Sequence, residues 1–200
     1  AAVVYNGNIW TSTNSGGTWT EDTSVGSIKK WYSITSSSDG TKLAAVVNAE
    51  NIWTSTDSGA TWTENTASPG SAKNWWSITS SSDGTKLAAV VYNGNIWTST
   101  NSGGTWTENA ASPGSAKNWY SIASSSDGTK LAAVVYNGNI WRAVENCDAS
   151  SAPTNGGVGT CTSSLASGST CQPTCNSGYT VSGTSSCSAG TLTAATCSAN

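Results

Sequence analysis

Short apolar runs alternate along this chain with clusters of Gly, Asn, Asp and Ser, and nowhere do the apolar positions follow a helical period. From Trp75 one such stretch reads WWSITSSSDGTKLAAVVYNGNIWTSTNSGGTWTENAASPGSAKN. WWSITSS alternates and is rich in β-formers, SSDGTK carries an Asp-Gly turn, and KLAAVVY is a continuous apolar run suited to a strand buried on both faces. Asn93-Gly94 marks a second hairpin, NIWTST a third strand, NSGG a third turn and TWTEN a fourth strand. ASPGSAKN then reads as a longer polar connection. The pattern predicts an all-β chain built from short antiparallel strands.

The stretch is one copy of a repeat. AAVVYNGNIW stands at 1–10, 88–97 and 132–141, with the degraded copy AAVVNAENIW at 44–53, so Trp10, Trp53, Trp97 and Trp141 recur at intervals of 43, 44 and 44. That period, with four strands per copy, is what a propeller-like array requires. The first copy starts at its second strand and the last stops after NIWRAVEN. The chain also starts inside a repeat and without Met, which reads as a piece of something longer. Two complete copies and two partial ones do not obviously close a ring, so the missing strands are expected from absent sequence or from another copy, unless the ring is four-bladed and irregular.

STDSGATW at 55–62 and STNSGGTW at 12–19 and 99–106 resemble the Asp-box, or bacterial neuraminidase repeat, Ser-x-Asp-x-Gly-x-Thr-Trp. The positions are Ser12, Asn14, Gly16 and Trp19; Ser55, Asp57, Gly59 and Trp62; and Ser99, Asn101, Gly103 and Trp106. The resemblance implies a β-propeller over residues 1–145, with each motif on the hairpin between the third and fourth strands and its Trp packed beneath. Asn14 and Asn101 replace the family's Asp and keep some of its hydrogen bonds, which fits a structural role. Sialidases of that family clamp a carboxylate with three arginines, whereas this chain has only Arg142 and no His.

From Cys147 the composition changes, which places a second, cysteine-rich domain at 146–200 after the repeat domain at 1–145. All six cysteines lie here, in a Ser/Gly/Thr-rich tail that argues for disulfides and an oxidising, extracellular compartment. The spacing around Cys147, Cys175, Cys187 and Cys197 resembles the sushi, or complement control, module over 147–197. That resemblance implies Cys147–Cys187 and Cys175–Cys197, leaving Cys161–Cys171 as an added bridge, among fifteen conceivable pairings. Leu192 stands where the module usually has Trp.

Composition narrows the partners. Charged residues are 10% of the chain, the formal charge is -3, and no basic stripe exists for nucleic acid or anionic lipid. No segment is long and apolar enough to cross a membrane as a helix. Without His, and with Cys171 and Cys175 as the one close pair, neither a metal nor any other cofactor is expected. No Asn-x-Ser/Thr sequon occurs, and the tandem Ser and Thr are a weak signal for O-linked glycans.

Asp39, Asp83 and Asp127 recur before Gly and are read as turn residues rather than catalysts; Glu21, Glu64 and Glu108 follow Trp-Thr and are read as solvated. The aromatic pairs Trp31-Tyr32, Trp75-Trp76 and Trp119-Tyr120 place one ring in the core between repeats. Tyr32, Trp76 and Tyr120 are the candidates to face out and stack on a sugar. The sequence thus points to a secreted, noncatalytic structural protein, a subunit of a surface layer, sheath or filament that assembles head to tail. A glycan-binding adhesin comes second, and a fragment of a sialidase-like hydrolase third.

Overall fold

A computed structural model describes residues 1–67, 69–109, 116–143, 146–188 and 190–200. Most of the polar connection expected at 111–118, and residues 144 and 145 at the expected domain boundary, lie outside the described residues. All regular structure described is β, and no described helix is long and apolar enough to cross a membrane. Two compact bodies form, Ala1–Arg142 and Ala143–Asn200.

The repeat body runs β1 (Ala2–Val3), β2 (Tyr5–Gly7), β3 (Ile9–Thr11), β4 (Thr20–Asp22), β5 (Lys29–Ser36), β6 (Leu43–Glu50), β7 (Ile52–Ser55) and β8 (Thr63–Glu64). It continues with β9 (Lys73–Ser80), β10 (Leu87–Gly94), β11 (Ile96–Ser99), β12 (Thr107–Asn109), β13 (Lys117–Ser124), β14 (Leu131–Val135) and β15 (Ile140–Arg142). Repeat three shows the full pattern: β9, β10, β11 and β12 pair antiparallel in sequence order, with Leu87 facing Ser80 on one side and Ser99 on the other. β10 is apolar at every position from Leu87 to Val91 because neighbouring repeats cover both of its faces.

Each first strand carries a bulge. Ser77 lies opposite Val90 and Trp75 opposite Val91, so Trp76 drops out of the ladder; Tyr32 and Tyr120 drop out in the same way. The extra residue brings Trp75 and Ile78, three apart, into one apolar cluster, where strict alternation would separate them. Together they form a wedge. Trp75 and Ile78 fill the space between Ala44, Val46 and Ile52 of the preceding repeat and Ala89, Val91, Trp97 and Trp106 of their own. Trp31 with Ile34, and Trp119 with Ile122, do the same at the other two junctions.

Backbone and side chains repeat the junction in register. Tyr5 pairs with Lys30, Asn48 with Asn74 and Tyr92 with Asn118, each tying a hairpin to the first strand of the next repeat. Among the described residues no strand pairing joins repeat one to repeat four. Among the described residues β1 pairs with β3 alone, and the strands of repeat four are β13, β14 and β15.

The tail body holds short strands β16 (Gly156–Gly157), β17 (Thr170–Cys171), β18 (Thr174–Cys175), β19 (Tyr179–Val181), β20 (Ser185–Ser188), β21 (Thr191–Thr193) and β22 (Cys197–Ala199). Disulfides link Cys147 to Cys187, Cys161 to Cys171 and Cys175 to Cys197. The core is small: four of these cysteines with Ala149 and Leu165, and Leu192 packed against them. With so little apolar area, the bridges supply much of what holds the tail folded.

Candidate functional site

The motif hairpins explain where their polar side chains go. In repeat two the Ser55 hydroxyl donates to Asp57 Oδ1 (2.8 Å) and accepts from the Gly59 N–H (2.9 Å). Asp57 accepts from the Thr61 N–H at Oδ1 (2.9 Å) and from the Thr61 hydroxyl at Oδ2 (2.6 Å). These bonds stabilise the ionised form and lower the Asp57 pKa, the Thr61 hydroxyl contributing most. Asn14 and Asn101 reproduce the pattern: the Thr18 and Thr105 N–H groups donate to their Oδ1 at 2.8 Å, and their Nδ2 groups donate to the two threonine hydroxyls. Ser58 and Gly59 both have positive φ, 62° and 91°, which is why Gly follows Ser in all three copies.

The Asp-Gly turns of repeats two, three and four are equally self-contained. Asp39 accepts from the Ser37 hydroxyl (2.5 Å) and from the Thr41 N–H (3.0 Å), which holds its carboxyl at about 2, Ser37 acting most strongly. Asp83 and Asp127 are lowered further by their own serines, Ser81 and Ser125, and by Thr85 and Thr129. The nearby lysines reach across repeats: Lys42 Nζ donates to the Asp83 carbonyl and Lys86 Nζ to that of Asp127, each at 3.0 Å. Glu21, Glu64 and Glu108 are not merely solvated. Asn8, Asn51 and Asn95, thirteen residues upstream in each case, donate to them at 2.9, 2.9 and 3.0 Å, pinning the third strand to the fourth.

Among the described residues, aromatic rings from all four repeats form one constellation. Trp31, Trp75 and Trp119 are buried, and the bulged residues beside them meet on another face. Tyr5 touches Tyr32 (centroids 5.6 Å apart), Tyr32 touches Trp76 (4.5 Å), Trp76 touches Tyr120 (5.5 Å) and Tyr120 touches Tyr136 (6.0 Å), while Tyr92 packs on Trp76 at 5.1 Å. Six rings thus make one spine through four repeats. Tyr5, Tyr92 and Tyr136 are the members that the sequence reading missed, because each precedes an Asn-Gly turn; their recurrence at one repeat position is the signal that marks them. Burial, and Tyr5 beside it, push the Tyr32 phenol above the usual range. Tyr32 and Trp76 are half-buried, whereas Tyr120 is 50% exposed. Interplanar tilts of 33° to 77° mean the rings lean on one another rather than lying flat in a row.

Lys29, Lys73 and Lys117 lie over the rings of Trp53, Trp97 and Trp141 at 5.1, 4.6 and 4.7 Å. An open groove of about 400 Å³ where repeat three meets repeat four is lined by Asn93, Lys117, Asn118, Asn139, Gly138 and Trp141, among others. Among the described residues no three His, Cys, Asp or Glu side chains gather as a metal site.

No protein-family model and no curated protein matches the chain. Solved structures do. YCF48 from Cyanidioschyzon merolae matches with a TM-score of 0.51 over 70% of this chain and 47% of its own, at 18% identity. An ancestral GH74 enzyme matches with a TM-score of 0.51 over 70% of this chain and 20% of its own, at 15% identity. The GH74 xyloglucanase from Xanthomonas campestris gives 0.51 over 69% and 26%, at 14% identity. The repeats are β-propeller blades. The chain spans less than half the length of each of these neighbours, and at such identities the likeness is one of fold.

Proposed function

We propose that this chain is a noncatalytic, extracellular structural module, a subunit of a surface layer, sheath or filament that joins other copies through its open blade ends. The observation that carries the reading is the use of the recurring polar groups. The three Asp-Gly acids, the motif Ser, Asp and Asn residues and the three Glu residues each have a local hydrogen-bond partner within the blades. They are engaged in holding turns and strands, and the likeness of STDSGATW and its two relatives to the Asp-box is a likeness of fold. Three disulfides favour an oxidising compartment outside the cell. The sushi-like spacing of the tail adds a spacer or binding unit of the same kind. Negative-stain electron microscopy of the purified full chain tests the reading: strings or sheets of particles are expected, and a field of dispersed single particles contradicts it.

A second reading is glycan binding, favoured by the half-exposed rings of Tyr120 and Tyr136 close to an amide-lined groove. Glycan-array binding that is lost on Tyr120→Ala while the fold is kept supports it. A blank array removes it.

A further inference from the structure

Five of the six tyrosines in the chain, Tyr5, Tyr32, Tyr92, Tyr120 and Tyr136, belong to the ring spine, and Trp76 sits at its centre. Packing alone asks only for flat apolar rings, yet the chain contains no Phe, and every ring of the spine is one that gives up an electron readily. The order of the rings matters too. Tyr5 and Tyr32 touch on one side of Trp76, and Tyr120 and Tyr136 touch on the other. Trp76 lies 4.5 Å from Tyr32 and 5.5 Å from Tyr120, so one indole bridges two tyrosine pairs.

Little else in the chain competes for an oxidant. There is no Met and no His, and among the described residues no cysteine is free, so the thioethers and thiolates that oxidise first in other proteins are missing. Trp and Tyr rings come next. Trp31, Trp75 and Trp119 are buried in the wedges, whereas Tyr32 and Trp76, beside the first two, are half-buried and reached by water. Burial, and Tyr5 beside it, hold the Tyr32 phenol above the usual range, so it keeps its proton until it is oxidised.

We infer that the spine is a site of oxidative ring coupling, at which Tyr5 joins Tyr32 and Tyr120 joins Tyr136 through their ortho carbons, with Trp76 relaying electrons between the two pairs. The oxidant is a peroxide acting in one-electron steps. Each phenol of a pair gives up one electron and its hydroxyl proton, and the two ortho carbons share their unpaired electrons in a new C–C bond. Each ring then loses its ortho hydrogen as a proton and regains a proton at oxygen, which restores both phenols. In sum two electrons pass to the O–O bond, which breaks, and two protons pass to water. The centroids start 5.6 and 6.0 Å apart, and rotation about χ1 and χ2 brings the ortho carbons together. The first bond ties the hairpin of repeat one to β5 of repeat two; the second ties β13 to the turn that follows β14. Such links restrict the unfolded chain as a disulfide does.

The full 200-residue chain, folded and dilute, is illuminated with ruthenium tris-bipyridine and peroxydisulfate, a peroxide that takes up the same two electrons. Tryptic mapping of the band at single-chain mass is expected to show residues 1–29 joined to 31–42, and 118–130 joined to 131–142. Tyr179, which makes no ring contact among the described residues, is expected to stay out of such links. Tyr32→Phe keeps a ring in the spine and should abolish the first link; the second, retained, reports that the fold is intact. Trp76→Phe should lower the yield of both. Links absent from the folded chain, links that take in Tyr179 as often as the spine tyrosines, or a first link that survives Tyr32→Phe overturn the inference. Yields unchanged by Trp76→Phe overturn the relay.

Discussion

Ala49 sits at φ 60°, in the left-handed region, where the three other copies of the same hairpin have Asn6, Asn93 and Asn137. Asn tolerates that conformation better than Ala does, so Ala49→Asn is expected to stabilise the body by about 1 kcal/mol, read as a rise in its denaturation midpoint. Asp57 poses the reverse question. Asn14 and Asn101 accept the matching backbone N–H groups and hand an amide hydrogen to the matching threonine. Asp57→Asn should therefore leave stability at pH 7 nearly unchanged. The acids of the Asp-Gly turns make folding pH-sensitive. Asp39, Asp83 and Asp127 are lowered in the folded state, so their contribution is complete above the unfolded value near 4 and falls away as pH drops through their folded values. Chemical denaturation between pH 5 and about 2 should show stability declining over that window, less steeply in Asp39→Asn. A flat profile contradicts these bonds.

The motif hairpin and the first-strand wedge explain different substitutions. A methyl on Gly103, besides its φ of 88°, would stand 2.9 Å from Thr54 Cγ2 of the preceding blade, while one on Gly16 would find only its own Trp19 at 3.7 Å. Gly103→Ala should cost about 2 kcal/mol or more, and Gly16→Ala distinctly less. Trp75→Ala empties a buried wedge and should cost about 3–5 kcal/mol, whereas Trp19→Ala, at an open end, should cost little. The strands themselves were legible in the sequence because Asp-Gly, Asn-Gly and Ser-Gly turns punctuate every repeat. The wedge was not. Strict alternation sends neighbours to opposite faces, and nothing local in Trp75-Trp76-Ser77-Ile78 announces the extra residue that sets Trp75 and Ile78 together. The Asn8–Glu21 pair and its two relatives were also missed, although their constant spacing of thirteen is visible once the repeat is aligned. Lys42 and the Asp83 carbonyl, forty-one residues apart, are brought together only by blade packing.

Across the repeat body, one junction is built three times, between consecutive blades. Composition and period made the propeller-like class readable, and the two incomplete copies were visible as missing strands. What the sequence did not show is which residues of each blade face forward and which face back. The wedge assigns those faces: Ala44, Val46 and Ile52 forward, and Ala89, Val91, Trp97 and Trp106 back. Exposed apolar faces of this kind favour association, so the ends rather than any pocket carry the function proposed for the chain. Sedimentation velocity of the full chain over about 1–100 μM tests that most directly, a range that brackets weak association. The account predicts a mass rising with concentration above the 20.3 kDa of a single chain, and a return to that mass in Val4→Asp and Ile140→Asp. A single 20.3 kDa species at every concentration, or association that both substitutions leave untouched, contradicts it.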